Sequence, residues 1–344
     1  MEEDIHAAAF ARLPDSPGSP DPADPAAIVD IATGYMAAKQ LFAASEAGIF
    51  AALSRGPATA AELARRAGLP ERTARILADT LSGLGLLTRA DGAYANAPAA
   101  ARYLAGDGDL DLRPFLTFLD RISYGHWLGF AETTRTAGPA PLDLADGRMD
   151  TFLTGVMTYN ALHARMLATH FDFSPYARIL DFGGLSGAFL SEALRAAPSA
   201  RGTFLSGGDL AGHARKTLSD AGVGDRADVV EADPLTGDVP EPHDLVLLEH
   251  VVHRFGVDVN REIVRRARRA AEPGATLLLL DFFLDDAPEQ RVIDALHAGE
   301  YLVIDGTVVY PEAEVRAWLR EAGWEPVETR ALPGSPRVIV AEAR

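Results

Sequence analysis

The sequence predicts an α/β protein, with a doubly wound, mostly parallel sheet in the C-terminal half and a helical winged-helix domain ahead of it. Three observations carry this expectation. The run Arg178-Ile-Leu-Asp-Phe-Gly-Gly-Leu-Ser-Gly187 is a short apolar strand ending in an acidic residue and three glycines, and it opens a helix from Ala188 to Leu194. Beyond it, strand and helix patterns alternate to the C-terminus. Ahead of it, residues 59–94 read as two short helices joined by Ala-Gly-Leu-Pro and followed by a hairpin.

Taken from the N-terminus, residues 1–25 include Leu13-Pro-Asp-Ser-Pro-Gly-Ser-Pro-Asp-Pro-Ala-Asp-Pro25. This stretch has too much proline and too little apolar surface to fold alone, and it reads as a flexible tail. Residues 26–104 are alanine-rich and helical. Thr59 and Glu62 make a capping box, Gly68 ends the first short helix, and Pro70 opens the next, whose buried side is expected at Ile76, Leu77 and Leu81. Gly85 to Tyr94 alternates about an Asp91-Gly92 turn, the wing. The preceding helices are apolar on too many sides for a lone surface helix. Ile31, Tyr35, Met36, Leu41, Phe42, Ile49 and Phe50 need partners, which a second subunit would supply in a homodimer.

Residues 105–171 are helical and rich in aromatic and methionine side chains. Helical spacing makes most of them core, yet such faces beside a few polar groups also suit a pocket for a flat ring. Residues 172–344 form the alternating domain. Its strands are expected at Ile179–Phe182, Gly202–Leu205, Ala227–Glu231, Asp244–Leu248, Thr276–Asp281 and Arg337–Ala341. Ligands of such sheets sit beyond the carboxyl ends of the strands, so the residues just after each strand are the candidates for a site.

Composition bounds the function. The 344 residues are 48% hydrophobic and 24% charged, a globular balance, and no apolar run nears the roughly 18 residues of a membrane span. Met1-Glu-Glu-Asp lacks the basic start of a secretory signal, so a cytoplasmic location is the expectation. The absence of cysteine excludes disulfides and thiolate metal sites, and no HxxxH or HExxH helix argues for a metal. A net charge of −17 repels phosphate backbones. In the winged helix Arg72 and Arg75 are offset by Glu71 and Asp79, which favours a packing role over nucleic-acid binding.

The order of winged helix, helical middle and glycine-rich α/β domain resembles the S-adenosylmethionine-dependent O-methyltransferases of the plant caffeic acid and bacterial polyketide-tailoring type. The likeness runs from about residue 28 to the end. It rests on the glycine turn, on Ala221-Gly-Val-Gly-Asp-Arg-Ala-Asp-Val-Val-Glu-Ala-Asp233, on Pro240-Glu-Pro-His-Asp-Leu-Val-Leu-Leu-Glu-His-Val-Val-His253, and on Pro273-Gly-Ala-Thr-Leu-Leu-Leu-Leu-Asp281. The resemblance implies a Rossmann-like methyltransferase sheet and methyl transfer from S-adenosylmethionine to a hydroxyl of an aromatic or polyketide-like molecule in secondary metabolism.

It also implies roles for single residues. His253 stands where the family has the histidine of its His-Asp-Trp motif, its general base, although here the chain reads His253-Arg254-Phe255. Asp281 stands where an acidic residue orients that histidine. His250 and His163 are rivals for the base. Asp181, Gly183 and Gly187 match the cofactor turn, and Asp233, followed by Pro234, matches the residue that bonds the adenine amino group. Met157, Tyr159, Asn160, His163 and Phe255 are the expected substrate contacts.

Several positions depart from the pattern. Leu185 stands where bare backbone is expected. Ser206 replaces the acid that grips the ribose, a loss of about 1.5–3 kcal/mol unless Asp209 substitutes. Glu249 replaces a lysine and would turn a carboxylate toward the cofactor's charged end, and Val308 replaces a second acidic partner of the base. These departures leave open a methyltransferase-fold enzyme repurposed for hydroxylation, decarboxylation or cyclisation. A winged-helix regulator is the third alternative.

Overall fold

The computed structural model describes residues 25–141, 144–238, 242–286 and 290–344; the expected tail lies outside them except for Pro25, and so does the side chain of Asp209. The chain divides into two compact units, Met1–Gly125 with Leu144–Thr158, and His126–Asp143 with Tyr159–Arg344. A 23-residue helix, Arg148–His170, belongs to both.

In the first unit the local signals produce the elements they favour. The helix Ala60–Ala67 starts at Thr59, whose hydroxyl accepts the Glu62 N–H while the Glu62 carboxylate accepts the Thr59 N–H at 2.9 Å. Gly68, at φ 67°, ends it. Pro70 caps Glu71–Gly83, and the strands Leu87–Ala90 and Ala93–Asn96 pair antiparallel across Asp91 and Gly92, both at positive φ as a tight hairpin requires.

The core differs from expectation in two places. Ile76 is 50% exposed, and the buried side of its helix is Ala74, Leu77, Ala78 and Leu81. Phe42, Ile49 and Phe50 find partners within this unit, against Leu63, Leu81 and Tyr94. Ile28, Ile31, Tyr35 and Met36, on the long helix Ala26–Glu46, stay exposed.

The second unit is built on a seven-stranded sheet. Its strands are β1 (Arg178–Phe182), β2 (Arg201–Ser206), β3 (Ala227–Glu231), β4 (His243–Glu249), β5 (Ala271–Asp281), β6 (Trp324–Ala331) and β7 (Arg337–Ala343). The spatial order is β3-β2-β1-β4-β5-β7-β6, parallel from β3 to β5 and antiparallel where β7 pairs with β5 and β6. Alternate residues of the central strands serve opposite faces. Leu180, Val246 and Leu248 join one buried cluster, and Ile179, Leu245 and Leu247 join the other.

Strand β6 was not expected. Trp324-Glu-Pro-Val-Glu-Thr-Arg-Ala331 carries charges and a proline, and it folds as an edge strand, where a proline can be accommodated. The order reverses between β1 and β4, which places Asp181, Glu249 and Asp281 side by side at the carboxyl ends of β1, β4 and β5. Among the described residues no helix is long and apolar enough to cross a membrane.

Candidate active site

The glycine turn after β1 is shaped by what lies under it. Gly183 sits at φ 80° and donates its N–H to the Leu205 carbonyl at 2.8 Å. A Cβ at Gly184 would lie 2.2 Å from Asp181 Oδ1 and 2.5 Å from Glu249 Oε1, so only glycine fits. Gly187, expected at the cofactor, caps the helix Ala188–Ala196 at φ 70°, and a Cβ there would meet Ala214 at 3.2 Å. Leu185 is half-buried.

A cavity of about 610 Å³ opens beside this turn, its wall including Gly183, Ser206, Gly207, Asp233, Pro234, Val251, Arg254 and Phe255. Asp233 Oδ1 accepts the Leu235 N–H at 2.7 Å, which orients the carboxylate. Ser206 is buried at the end of β2. Phe255, expected to contact substrate, lines this cavity with Ser206 and Asp233, carried there by the turn Val252–Arg254.

Behind the wall lies a cluster of charge. Asp181 and Glu249 are fully buried, and Asp181 Oδ2 and Glu249 Oε2 have no hydrogen-bond partner among the described residues. Burial pushes both carboxyl groups above the usual carboxylate range, Glu249 further because Asp181 adds a like charge. The two carboxyl groups therefore give up their protons as a coupled pair and at higher pH than isolated carboxyl groups would. Arg254, missed from the sequence as a site residue, lines the cavity and donates from Nη2 to the Gly183 carbonyl at 2.6 Å, while its Nε has no partner.

On the other side of the turn Val252–Arg254 the groups are imidazoles. His253 Nδ1 lies 2.9 Å from Asp281 Oδ2 and 3.0 Å from Oδ1, and its backbone N–H reaches the same carboxylate. Burial alone would raise the Asp281 carboxyl, but His253 and the Phe282 N–H outweigh it and hold it below its usual value. An ionised carboxylate only accepts, so Nδ1 donates to it, and the neutral form of this imidazole is the tautomer with its lone pair on Nε2.

His250 was expected on one helix with His253. It lies instead in the turn after β4 with left-handed backbone, φ 54°, and its Nε2 is 2.9 Å from His163 Nδ1. Burial lowers both of these imidazoles, His250 to about 3. The nitrogens and oxygens of His250, His253 and Asp281 come within 4.8 Å of one another. Within the group, His253 Nδ1 is bonded to Asp281 and His250 Nε2 to His163.

The remaining expected residues fall at different distances from this cluster. Tyr159 packs its ring 4.0 Å from that of His163 and its hydroxyl lies 3.3 Å from His297 Nε2. Asn160 is buried and its Oδ1 accepts the Ser186 hydroxyl at 2.6 Å, so it braces the glycine turn. Met157 belongs to the first unit, where it is half-buried.

Three rings went unnoticed in the sequence: Phe282 stacked on His297 at 3.7 Å, and Tyr301 lying 4.3 Å over His253. His297 and Tyr301 lie in the helix Val292–Ile304, whose spacing gives only an ordinary apolar pattern, and Phe282 directly follows β5. The turn at Val308 does reach His253, but through a backbone N–H on the His253 carbonyl, with no carboxylate.

A buried His–Asp pair beside a glycine-turn cavity on a doubly wound sheet is the equipment of a group-transfer enzyme. The family model of the O-methyltransferase domain matches residues 143–325, and that of the O-methyltransferase dimerisation domain matches residues 29–106. The chain belongs to the O-methyltransferase family.

It is 34% identical over 325 residues to the 3-hydroxy-5-methyl-1-naphthoate 3-O-methyltransferase of Streptomyces sahachiroi, covering 92% of this chain and 94% of the relative. It is 29% identical over 360 residues to the mitomycin biosynthesis 6-O-methyltransferase of Streptomyces lavendulae, covering 97% and 98%. Among solved structures it is similar to the S-adenosylmethionine-dependent methyltransferase SibL, with a TM-score of 0.80 at 30% identity over 93% of this chain and 99% of that one.

Proposed function

We propose that this enzyme transfers a methyl group from S-adenosylmethionine to a hydroxyl on an aromatic or polyketide-like ring, with His253 as general base and Asp281 as its orienting partner. The observation that carries the reading is the His253 Nδ1–Asp281 contact at 2.9 Å, which in the neutral imidazole fixes the tautomer with its lone pair on Nε2. A phenol titrates near 10, so its proton has to be removed as the new bond forms. Nε2 takes that proton, and the buried Asp281 carboxylate stabilises the imidazolium. The rings of Tyr159, Phe282, His297 and Tyr301 supply flat faces for an aromatic substrate.

The cofactor's residues fit the adenosine half by volume and by donor set. Asp233 and Ser206 stand in the wall of a cavity whose 610 Å³ lies in the range of small-molecule sites, about 300–1,000 Å³. At its other end the wall carries Arg254 in front of Asp181 and Glu249, a pattern that differs from a simple acidic grip. When bound, S-adenosylmethionine supplies a methyl on a positive sulfur. Calorimetry tests the reading: no heat of binding with millimolar S-adenosylmethionine would overturn it, whereas binding with lost turnover in His253→Ala supports the base.

Two copies pair, on this reading, through the long N-terminal helix, where Ile28 is 73% and Ile31 83% exposed and Tyr35 and Met36 extend the same apolar surface. Ile31→Glu is expected to shift the protein from dimer to monomer in sedimentation velocity; an unchanged dimer would move the interface elsewhere.

A further inference from the structure

The proton transfer at His253 makes no use of the charges beneath the cavity. Asp181 is the last residue but one of β1 and Glu249 ends the neighbouring β4, and both carboxyl groups occupy the space that a Cβ on Gly184 would need. Each has an oxygen without a partner, an arrangement relieved by one proton held between them. Arg254 stands in front of them in the cavity wall, anchored to Gly183 by one donor and with Nε unpartnered. With the proton present the three groups sum to zero charge; without it they sum to minus one.

We propose that Asp181, Glu249 and Arg254 form a proton-linked cluster that sets the cavity's choice between a sulfonium ligand and a neutral thioether, the shared proton leaving to solvent as a positive sulfur enters. This rests on S-adenosylmethionine being the cofactor. S-adenosylmethionine and S-adenosylhomocysteine share every other group and differ by one methyl and one positive charge. A guanidinium in the wall opposes a second cation while the carboxyl pair is half neutralised, and the second ionisation removes that opposition. Beside this geometry, burial holds the pair's last proton to higher pH than an ordinary carboxyl group would.

The other charges nearby have partners of their own. Asp281 is held by His253, and His250 by His163. At the rim, Glu231 pairs with Arg215 at 3.7 Å and Asp233 with the Leu235 N–H.

The test is calorimetry of the full chain with each ligand, from about pH 6 to about pH 9, in two buffers of different ionisation enthalpy. S-adenosylmethionine is expected to release close to one proton at the acidic end, with affinity rising about tenfold per pH unit until the pair has titrated. S-adenosylhomocysteine is expected to release none and to bind with flat affinity over the same range. Glu249→Gln removes the shared proton, so S-adenosylmethionine should then lose its pH dependence.

The measurement on the unaltered protein decides the matter even if that variant fails to fold. Equal proton release by the two ligands, or none by either, overturns the cluster while leaving the cofactor in place. Failure of both ligands to bind overturns the cofactor reading itself.

Discussion

Asp181 and Asp281 make a controlled comparison within one sheet. Each lies at the carboxyl end of a parallel strand and each is fully buried, yet burial wins at Asp181, whose carboxyl is pushed up, and loses at Asp281, whose carboxyl is held down. The difference lies in the partner. Asp281 faces an imidazole and the N–H groups of His253 and Phe282, whereas Asp181 faces another carboxyl group and one N–H, that of Gly184 at 3.2 Å. Equal desolvation thus gives one permanently charged aspartate suited to holding a base, and one that trades a proton.

The sharpest way to break this comparison is to remove the charged aspartate's function. Asp281→Asn should leave His253 able to take the wrong tautomer, and His253→Ala should remove the base. Either is expected to lower turnover by about 10²–10⁴ while S-adenosylmethionine affinity stays within about twofold. Single-turnover assays beside calorimetry separate the two effects. A His253→Ala enzyme with wild-type turnover would transfer the base role to His250 or His163.

Stability should divide the two residues in the same order. Asp281→Ala removes the charged acceptor of the His253 Nδ1–H and of two backbone N–H groups, and is expected to cost about 1.5–3 kcal/mol in urea unfolding. Asp181→Asn replaces a carboxyl that already shares a proton with a group of the same shape that can donate to Glu249, and should cost less than about 1.5 kcal/mol. Equal losses would mean that Asp181 is as fully ionised as Asp281.

How much of this was legible in the sequence depends on how local each feature is. The capping box at Thr59, the Asp91-Gly92 turn and the strand at Ala227–Glu231 are short-range patterns, and the chain folds at each as its residues favour. The family's sheet and the pairing of His253 with Asp281 followed from motif order. Features that depend on distant residues were hidden. The His163–His250 contact joins positions 87 apart, and Tyr301 meets His253 from a helix whose pattern reads as ordinary core. Arg254 looked like a departure from a motif, and only the closeness of Gly183 shows it as part of the cavity wall. Phe255 follows a short turn rather than continuing a helix, and its place in the cavity wall depends on that turn. Strand β6 was lost to its own proline and charges, which an edge strand tolerates and a propensity reading does not.

The finest discrimination between the two aspartates is the pH dependence of stability. Asp281 titrates below its unfolded value, near 3.9, so its contribution is full above that value and is lost only as the pH falls through the lower folded one. Asp181 and Glu249 titrate above theirs, so their contribution is full below about 4 and is lost as the pH rises through the folded values. Across the neutral range the unaltered protein should therefore lose up to about 1.4 kcal/mol per pH unit for each such proton, a slope to which Asp281 adds nothing. Urea midpoints measured from about pH 4.5 to 8 should show this slope in the wild type and a flatter one in Asp181→Asn. If the two curves ran parallel, no proton would be held between Asp181 and Glu249, and the two aspartates would differ in surroundings but not in charge.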